Sequence, residues 1–259
     1  MRLDIFLYSK GLAKSRSQAV MLIENGITVK GKTVNKPSFQ IDENEDAGCI
    51  VISNPLKYVS RGGLKLEKAL DCFSVDVKDK VILDLGSSTG GFTDCLLQRG
   101  ASKVYCVDVG TSQLDESLKS DKEHVVCMEN TDARSLKSGN FGFKFDLVTS
   151  DLSFISQSKV YPNVSELLSD EGFFISLIKP QFELDRNALS KKGIVLDKKN
   201  HFKAVKGLFD MAEINGLYPL NLCKSPILGG SGNTEYLAIF SKKKTSGISD
   251  DLIKNIIYN

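Results

Sequence analysis

Val81-Ile82-Leu83-Asp84-Leu85-Gly86-Ser87-Ser88-Thr89-Gly90-Gly91-Phe92 is the stretch that decides the fold. The continuous apolar run Val81 to Leu85 reads as a strand buried on both faces, as in a parallel sheet. It enters a glycine-rich turn and then an apolar helical segment, Gly90 to Arg99. Gly86 and Gly90 are expected to let a ligand approach the backbone closely. The spacing is near the dinucleotide fingerprint, but Ser88 stands where the second glycine belongs, so a pyrophosphate loop is a poor match.

Outward from that turn, strand and helix signals alternate. Lys65 to Cys72 precedes it as a helix. Val104 to Val107, Val125 to Met128, Leu147 to Ser150, Phe173 to Ile178 and Tyr236 to Phe240 read as strands, and Ser158 to Leu168 and Lys199 to Asn215 as helices. The alternation predicts a doubly wound, Rossmann-like α/β fold. Ligands in such folds sit at the carboxyl ends of the strands. Asp108, followed by Val109, ends the second strand, about 20 residues past the glycine loop, where an acid accepts from a ribose diol. Asn130 to Asp132, followed by Ala133, ends the third strand, within reach of an adenine amino group. Asp151 ends the fourth. Glycine loop, ribose acid and adenine-side acid in this order fit S-adenosylmethionine. The cofactor-binding candidates are Asp84, Gly86, Ser87, Gly90, Gly91, Asp108, Val109, Asp132, Ala133 and Asp151.

Residues ahead of this region read differently. Leu3 to Leu7 is a short amphipathic helix, and Ser15 opens a second helix that runs through Glu24 and stops at Asn25-Gly26. Ile27 to Val29 and Thr33-Val34 form a hairpin around Lys30-Gly31-Lys32, and Ile50 to Ser53 closes the unit. Asn54-Pro55 breaks the chain. A small α+β domain over residues 1–56 and a larger α/β domain over 57–259 are expected.

Composition limits the partners. The 259 residues are 41% apolar and 25% charged with a net charge of +2, so the whole chain carries no basic excess. The bias is local. Residues 1 to 40 hold seven Lys/Arg against two acids, and Asp42, Glu43, Glu45 and Asp46 follow. The six cysteines, Cys49, Cys72, Cys95, Cys106, Cys127 and Cys223, lack metal-ligand spacing. Cys95 and Cys106 read as core thiols, no metal is expected, and a reducing cytoplasm is the expected location. No apolar run approaches the ~20 residues that span a bilayer.

Asp151 and Lys179 both follow apolar strands, so a parallel sheet brings them to the crevice beside the cofactor. An acid and a lysine there suit proton chemistry on a hydroxyl. An amine at the reference value of about 10.4 is protonated, and burial or a neighbouring cation such as Lys65 is what makes a lysine a base. Glu235 precedes the last strand. Spacing alone equally allows Lys65 on a solvated helix face, Lys179 at a surface strand exit and Glu235 as an edge charge.

Six segments carry a resemblance to a known family: Lys14 to Ala19, Tyr58 to Leu66, Asp84 to Asp94, Ser150 to Ile155, Ile178 to Glu183 and Gly232 to Tyr236. Together they resemble the TlyA, or hemolysin A-like, family of ribosomal-RNA 2′-O-methyltransferases with an FtsJ-like catalytic domain, over nearly the full length. The resemblance implies a Lys-Asp-Lys-Glu tetrad at Lys65, Asp151, Lys179 and Glu235, with Lys179 handling the hydroxyl proton. It implies a ribose hydroxyl of cytidine in one or both ribosomal subunits as acceptor. The amino-terminal segment looks like the small RNA-binding domain shared with a ribosomal protein and some pseudouridine synthases. Arg2, Lys14, Arg16 and Lys36 match its basic positions, and Arg61 is a further RNA-binding candidate. An RNA-docking protein without turnover fits the intact tetrad poorly, and a membrane-lytic protein lacks a spanning run.

Overall fold

The structure, a computed structural model, describes residues 1–13, 15–52, 56–229 and 232–259. The chain divides into two compact units, Met1–Arg61 and Gly62–Asn259. Lys14 and the expected chain break at Asn54-Pro55 lie outside the described residues.

The first unit runs α1 (Leu3–Ser9), α2 (Arg16–Glu24), β1 (Ile27–Val29), β2 (Lys32–Val34), α3 (Glu43–Asp46) and β3 (Ile50–Ile52). Ser15 caps α2 by accepting from the Gln18 amide at 3.1 Å, which satisfies one of the free donors of the first turn. Lys30 and Gly31 both take positive φ, 49° and 75°, the geometry that a tight two-residue hairpin between β1 and β2 requires. β1 lies between β2 and β3, antiparallel to both. Leu3, Phe6, Leu7, Leu22, Ile23 and Ile27 fill the core between helices and sheet.

The second unit runs α4 (Gly62–Phe73), β4 (Val81–Leu85), α5 (Gly91–Gln98), β5 (Lys103–Val107), α6 (Glu116–Ser120), β6 (Val125–Met128), β7 (Phe145–Ser150), α7 (Tyr161–Leu167), β8 (Leu168–Ile178), α8 (Pro180–Glu183), α9 (Lys198–Ile214), β9 (Tyr218–Lys224), β10 (Tyr236–Ser241) and α10 (Asp250–Tyr258). Among the described residues, seven strands form one sheet in the order β6-β5-β4-β7-β8-β10-β9. The strands from β6 to β8 are parallel to one another. β4 has β5 on one side and β7 on the other, so the strand order reverses at β4 and opens a crevice at the carboxyl edge. The helix expected over Ser158 to Leu168 begins later. Gln157–Val160 is a 3₁₀ turn, and α7 starts at Tyr161 with Pro162 in its first turn, where a missing N–H costs nothing.

β10 is antiparallel to both β8 and β9, so the sheet is mixed at this end. Its first residue, Tyr236, stands opposite Ile178, the last residue of β8. The residue before β10 therefore lies at the same sheet edge as the residue after β8. This reversal brings Glu235 level with Lys179.

Candidate active site

The turn after β4 is held by its neighbours on both sides. The Gly86 and Ser87 amides donate to the Val107 carbonyl at 2.8 and 3.1 Å, and the Asp151 amide donates to Leu85 O at 2.9 Å. Gly86 has φ +78°, and a Cβ there would lie 2.7 Å from the Asp151 carbonyl oxygen. Gly90 has φ +94° and packs against Leu118 and Leu114. At both positions the protein's own chain fills the space that a side chain would take. Both remain sites where only glycine fits without strain.

Beside this turn lies a cleft of about 550 Å³, within the range of small-molecule sites. Gly86, Asp108, Val109, Asp132, Ala133 and Asp151 line it. Asp84, Ser87, Gly90 and Gly91 do not. Asp108 is oriented by the Ser88 amide at 2.8 Å and the Gly110 amide at 2.7 Å, one to each oxygen, and each oxygen keeps a further acceptor site. Val109 is 68% exposed and forms an apolar wall. Asp132 is gripped by the Arg134 guanidinium at 2.6 Å, which holds its carboxyl below the usual range. Its oxygens are largely committed to that pairing, so the expected reach to an adenine amine runs past an existing ion pair.

Asp84 sits under the cleft, not in it. Its side chain is fully buried, and Thr93 Oγ1 and Thr149 Oγ1 donate to it at 2.7 and 2.9 Å. Burial pushes its carboxyl up to about 6, against the pull of the two hydroxyls. Between about pH 4 and 6 the folded protein therefore holds a proton that the unfolded chain releases. Stability is highest below that window and falls as pH rises through it, by roughly 3 kcal/mol for a shift of this size. Asp84→Asn, which stays neutral, is expected to flatten that slope. Urea midpoints at pH 4.5 and 7 check this, and equal slopes in both proteins would contradict it.

The structure brings the four tetrad candidates into two close ion pairs. Lys179 Nζ lies 2.6 Å from Asp151 Oδ1 and donates to Ser153 Oγ at 2.7 Å. Lys65, on α4, donates to Glu235 Oε2 at 2.6 Å. Lys65 is 9%, Lys179 7% and Glu235 2% exposed. None is a solvated helix face, a surface exit or an edge charge. Charges this deep are tolerated only when paired. The Glu235 carboxylate also lies against Gly229, where a Cβ would overlap it.

Two residues here escape sequence reasoning. Ser153, two positions past Asp151, is a direct partner of Lys179. Glu129 accepts from the Ser112, Gln113 and Leu114 amides at 2.9, 2.7 and 3.0 Å. The Leu114 amide leads these donors in holding its carboxyl down to about 2. It thereby pins the loop after Asp108. The signal available was an acid directly after a strand, facing a glycine-containing loop.

In the first unit, Asp4 is buried and takes hydrogen bonds from Arg2 at 2.9 and 3.0 Å and from Arg16 at 3.3 Å. Burial alone would raise its carboxyl, but the two guanidiniums outweigh it and hold it low. One acid thus gathers two arginines whose outer faces stay exposed. Lys36 is exposed as well. Arg61 pairs with Glu24 at 2.8 Å.

The comparisons with known proteins bear on this geometry. The family description of FtsJ-like methyltransferases matches residues 58–242, and that of the S4 domain matches residues 1–46. The 16S/23S rRNA (cytidine-2'-O)-methyltransferase TlyA of Mycobacterium tuberculosis (strain ATCC 25618 / H37Rv) is 39% identical, over 91% of this chain and 87% of its own. The chain belongs to the TlyA family of FtsJ-like methyltransferases. Another relative of this chain is YqxC of Bacillus subtilis (strain 168), named as a candidate rRNA methyltransferase and 45% identical over 91% of this chain and 84% of its own. A solved Streptococcus thermophilus structure that carries the hemolysin label aligns with TM-score 0.76 at 37% identity, covering 100% of this chain and 94% of that one. No helix among the described residues is long and apolar enough to cross a membrane.

Proposed function

We propose that this protein transfers a methyl group from S-adenosylmethionine to a ribose 2′-hydroxyl, on a cytidine of ribosomal RNA in one or both ribosomal subunits. One observation carries the reading: Asp151 both lines the cleft and holds Lys179 at 2.6 Å. Cofactor cleft and proton-handling lysine thus share a residue. The cleft suits the cofactor, with apolar walls at Val109, Ala133 and Ile155 and acids at Asp108 and Asp151 to meet a ribose diol and a cationic centre. Gly86, Asp108, Val109, Asp132, Ala133 and Asp151 would hold it, with Asp84, Ser87, Gly90 and Gly91 shaping the turn from behind. When bound, S-adenosylmethionine supplies an electrophilic methyl group.

The residues of this chain do the rest. A ribose hydroxyl is a weak nucleophile and must shed its proton as it attacks. Lys179 must enter the step as the neutral amine, its resting proton already released; it then receives the hydroxyl proton at Nζ, and the adjacent Asp151 carboxylate balances the ammonium that re-forms. Ser153 fixes the amine from a second direction. Lys65 and Glu235 form a neutral, rigid pair beside it and exclude water. An in-line displacement needs little beyond such positioning.

Residues 1–56 serve as the RNA-binding domain and residues 57–259 as the methyltransferase domain. Arg2, Arg16 and Lys36, together with Lys14 and Arg61, would meet RNA phosphates. A ribosomal substrate goes with a cytoplasmic location.

The test is the product. A 2′-O-methyl group blocks alkaline cleavage of the neighbouring phosphodiester, so incubated ribosomal RNA should yield an alkali-resistant dinucleotide that begins with methylcytidine. A base-methylated nucleoside instead would overturn the assignment. Gly86→Ala is expected to weaken cofactor binding about tenfold or more, because its Cβ meets a backbone oxygen at positive φ. Calorimetric titration with S-adenosylmethionine measures it, and unchanged affinity would contradict the part given to this turn.

A further inference from the structure

Two segments flank the reacting centre. One is the loop after β7, residues 151–157. The other follows β8 as Lys179 and α8. They touch at three places. At one end Lys179 meets Asp151 and Ser153. In the middle the Phe154 and Phe182 rings lie 5.2 Å apart. At the far end Glu183 accepts from Ser156 Oγ at 2.5 Å through one carboxylate oxygen and from the Gln157 amide at 3.0 Å through the other. Gln157 passes the restraint inward. Its side chain accepts from Ser150 Oγ at 2.7 Å and donates to the Leu177 carbonyl at 3.1 Å, so it ties the ends of β7 and β8 together.

The loop does not hold this shape by its own packing. Phe154 is 87% exposed and sits at φ +66°, a strained conformation for a bulky residue that surrounding contacts must impose. Glu183 is a partly buried acid that neither lines the cleft nor touches Lys179. Burial pushes its carboxyl up, and the bonds to Ser156 and Gln157 oppose that. A partly buried carboxylate spent on two contacts to one loop is an anchor.

We propose that Glu183 is a positioning residue that clamps the Asp151–Gln157 loop to the Lys179 segment and so sets the contact between Asp151 and Lys179. The inference rests on Lys179 and Asp151 being the proton-handling pair. Reacting groups displaced by about 1 Å can lose on the order of 100-fold in rate, and releasing the far end of a strained loop is a route to such a displacement.

The test uses the full chain with Glu183→Ala, Glu183→Gln, Ser156→Ala and Lys179→Ala. Glu183→Ala is expected to lower kcat on the order of 100-fold with KM for RNA little changed, and to speed hydrogen exchange at residues 151–157. Glu183→Gln keeps an acceptor for the Gln157 amide and recovers most of the loss. Ser156→Ala, a milder change at the other end of the same contact, lowers kcat in the same direction and adds little to Glu183→Ala. Wild-type kcat in Glu183→Ala while Lys179→Ala is inactive overturns the clamp but leaves the site reading intact. Full activity in Lys179→Ala overturns both. Loss of kcat with no rescue by glutamine and no change in exchange overturns the clamp.

Discussion

Lys179→Ala is expected to lower kcat by about 10³-fold, within the range a positioned proton acceptor contributes, while the affinity for S-adenosylmethionine stays near wild type. The split follows from geometry. Lys179 does not line the cleft; it stands behind the cleft-lining Asp151 and Ser153, 2.6 and 2.7 Å from them. Asp151 does line the cleft, so Asp151→Ala should impair both binding and rate. Single-turnover methyl transfer alongside calorimetric titration of the cofactor separates the two. Equal loss of rate and affinity in Lys179→Ala would mean that the lysine holds the site together and does not handle the proton.

Glu235→Ala is expected to cost about 3–5 kcal/mol of stability, because it strands the buried ammonium of Lys65. Glu235 is 2% exposed, and Lys65 meets it at 2.6 Å. The double replacement Lys65→Met with Glu235→Leu removes both charges and should recover most of the stability, since apolar pairs of similar size often replace buried ion pairs without loss. It should not recover activity. Urea denaturation of the single and double variants measures the effect. A Glu235→Ala protein within about 1 kcal/mol of wild type would show that the pair is solvated, because exposed pairs are worth no more.

The glycine turn and the parallel strands were legible because each is a local pattern. Val81–Leu85 is apolar but for Asp84, as burial on both faces favours, and Gly86 and Gly90 mark its turn. Glu235 was harder. An acid ahead of a strand belongs at the wrong end of a parallel sheet. It reaches Lys179 because β10 runs antiparallel to β8, and that reversal depends on β9, which sequence reading passed over. Tyr218–Lys224 carries Pro219 and Asn221, a composition that demotes a strand in a sequence. Both are tolerated because β9 lies at the sheet edge. α10 was passed over as well, although Ser249 caps it by accepting from the Leu252 amide. The burial of Lys65 was not legible either, because a lysine on a helix is usually solvated and only the tertiary partner Glu235 makes it otherwise. The contacts of Ser153 to Lys179 and of Ser156 and Gln157 to Glu183 span 26 or 27 positions. No local pattern encodes them.

The most direct measurement is transfer of labelled methyl from S-adenosylmethionine to purified, unmodified ribosomal subunits, with wild type and Lys179→Ala side by side. Label in ribosomal RNA with wild type, and at most about a thousandth of that rate with Lys179→Ala, is the predicted result. No label with wild type despite measured cofactor binding would contradict it and leave an RNA-docking protein that does not turn over.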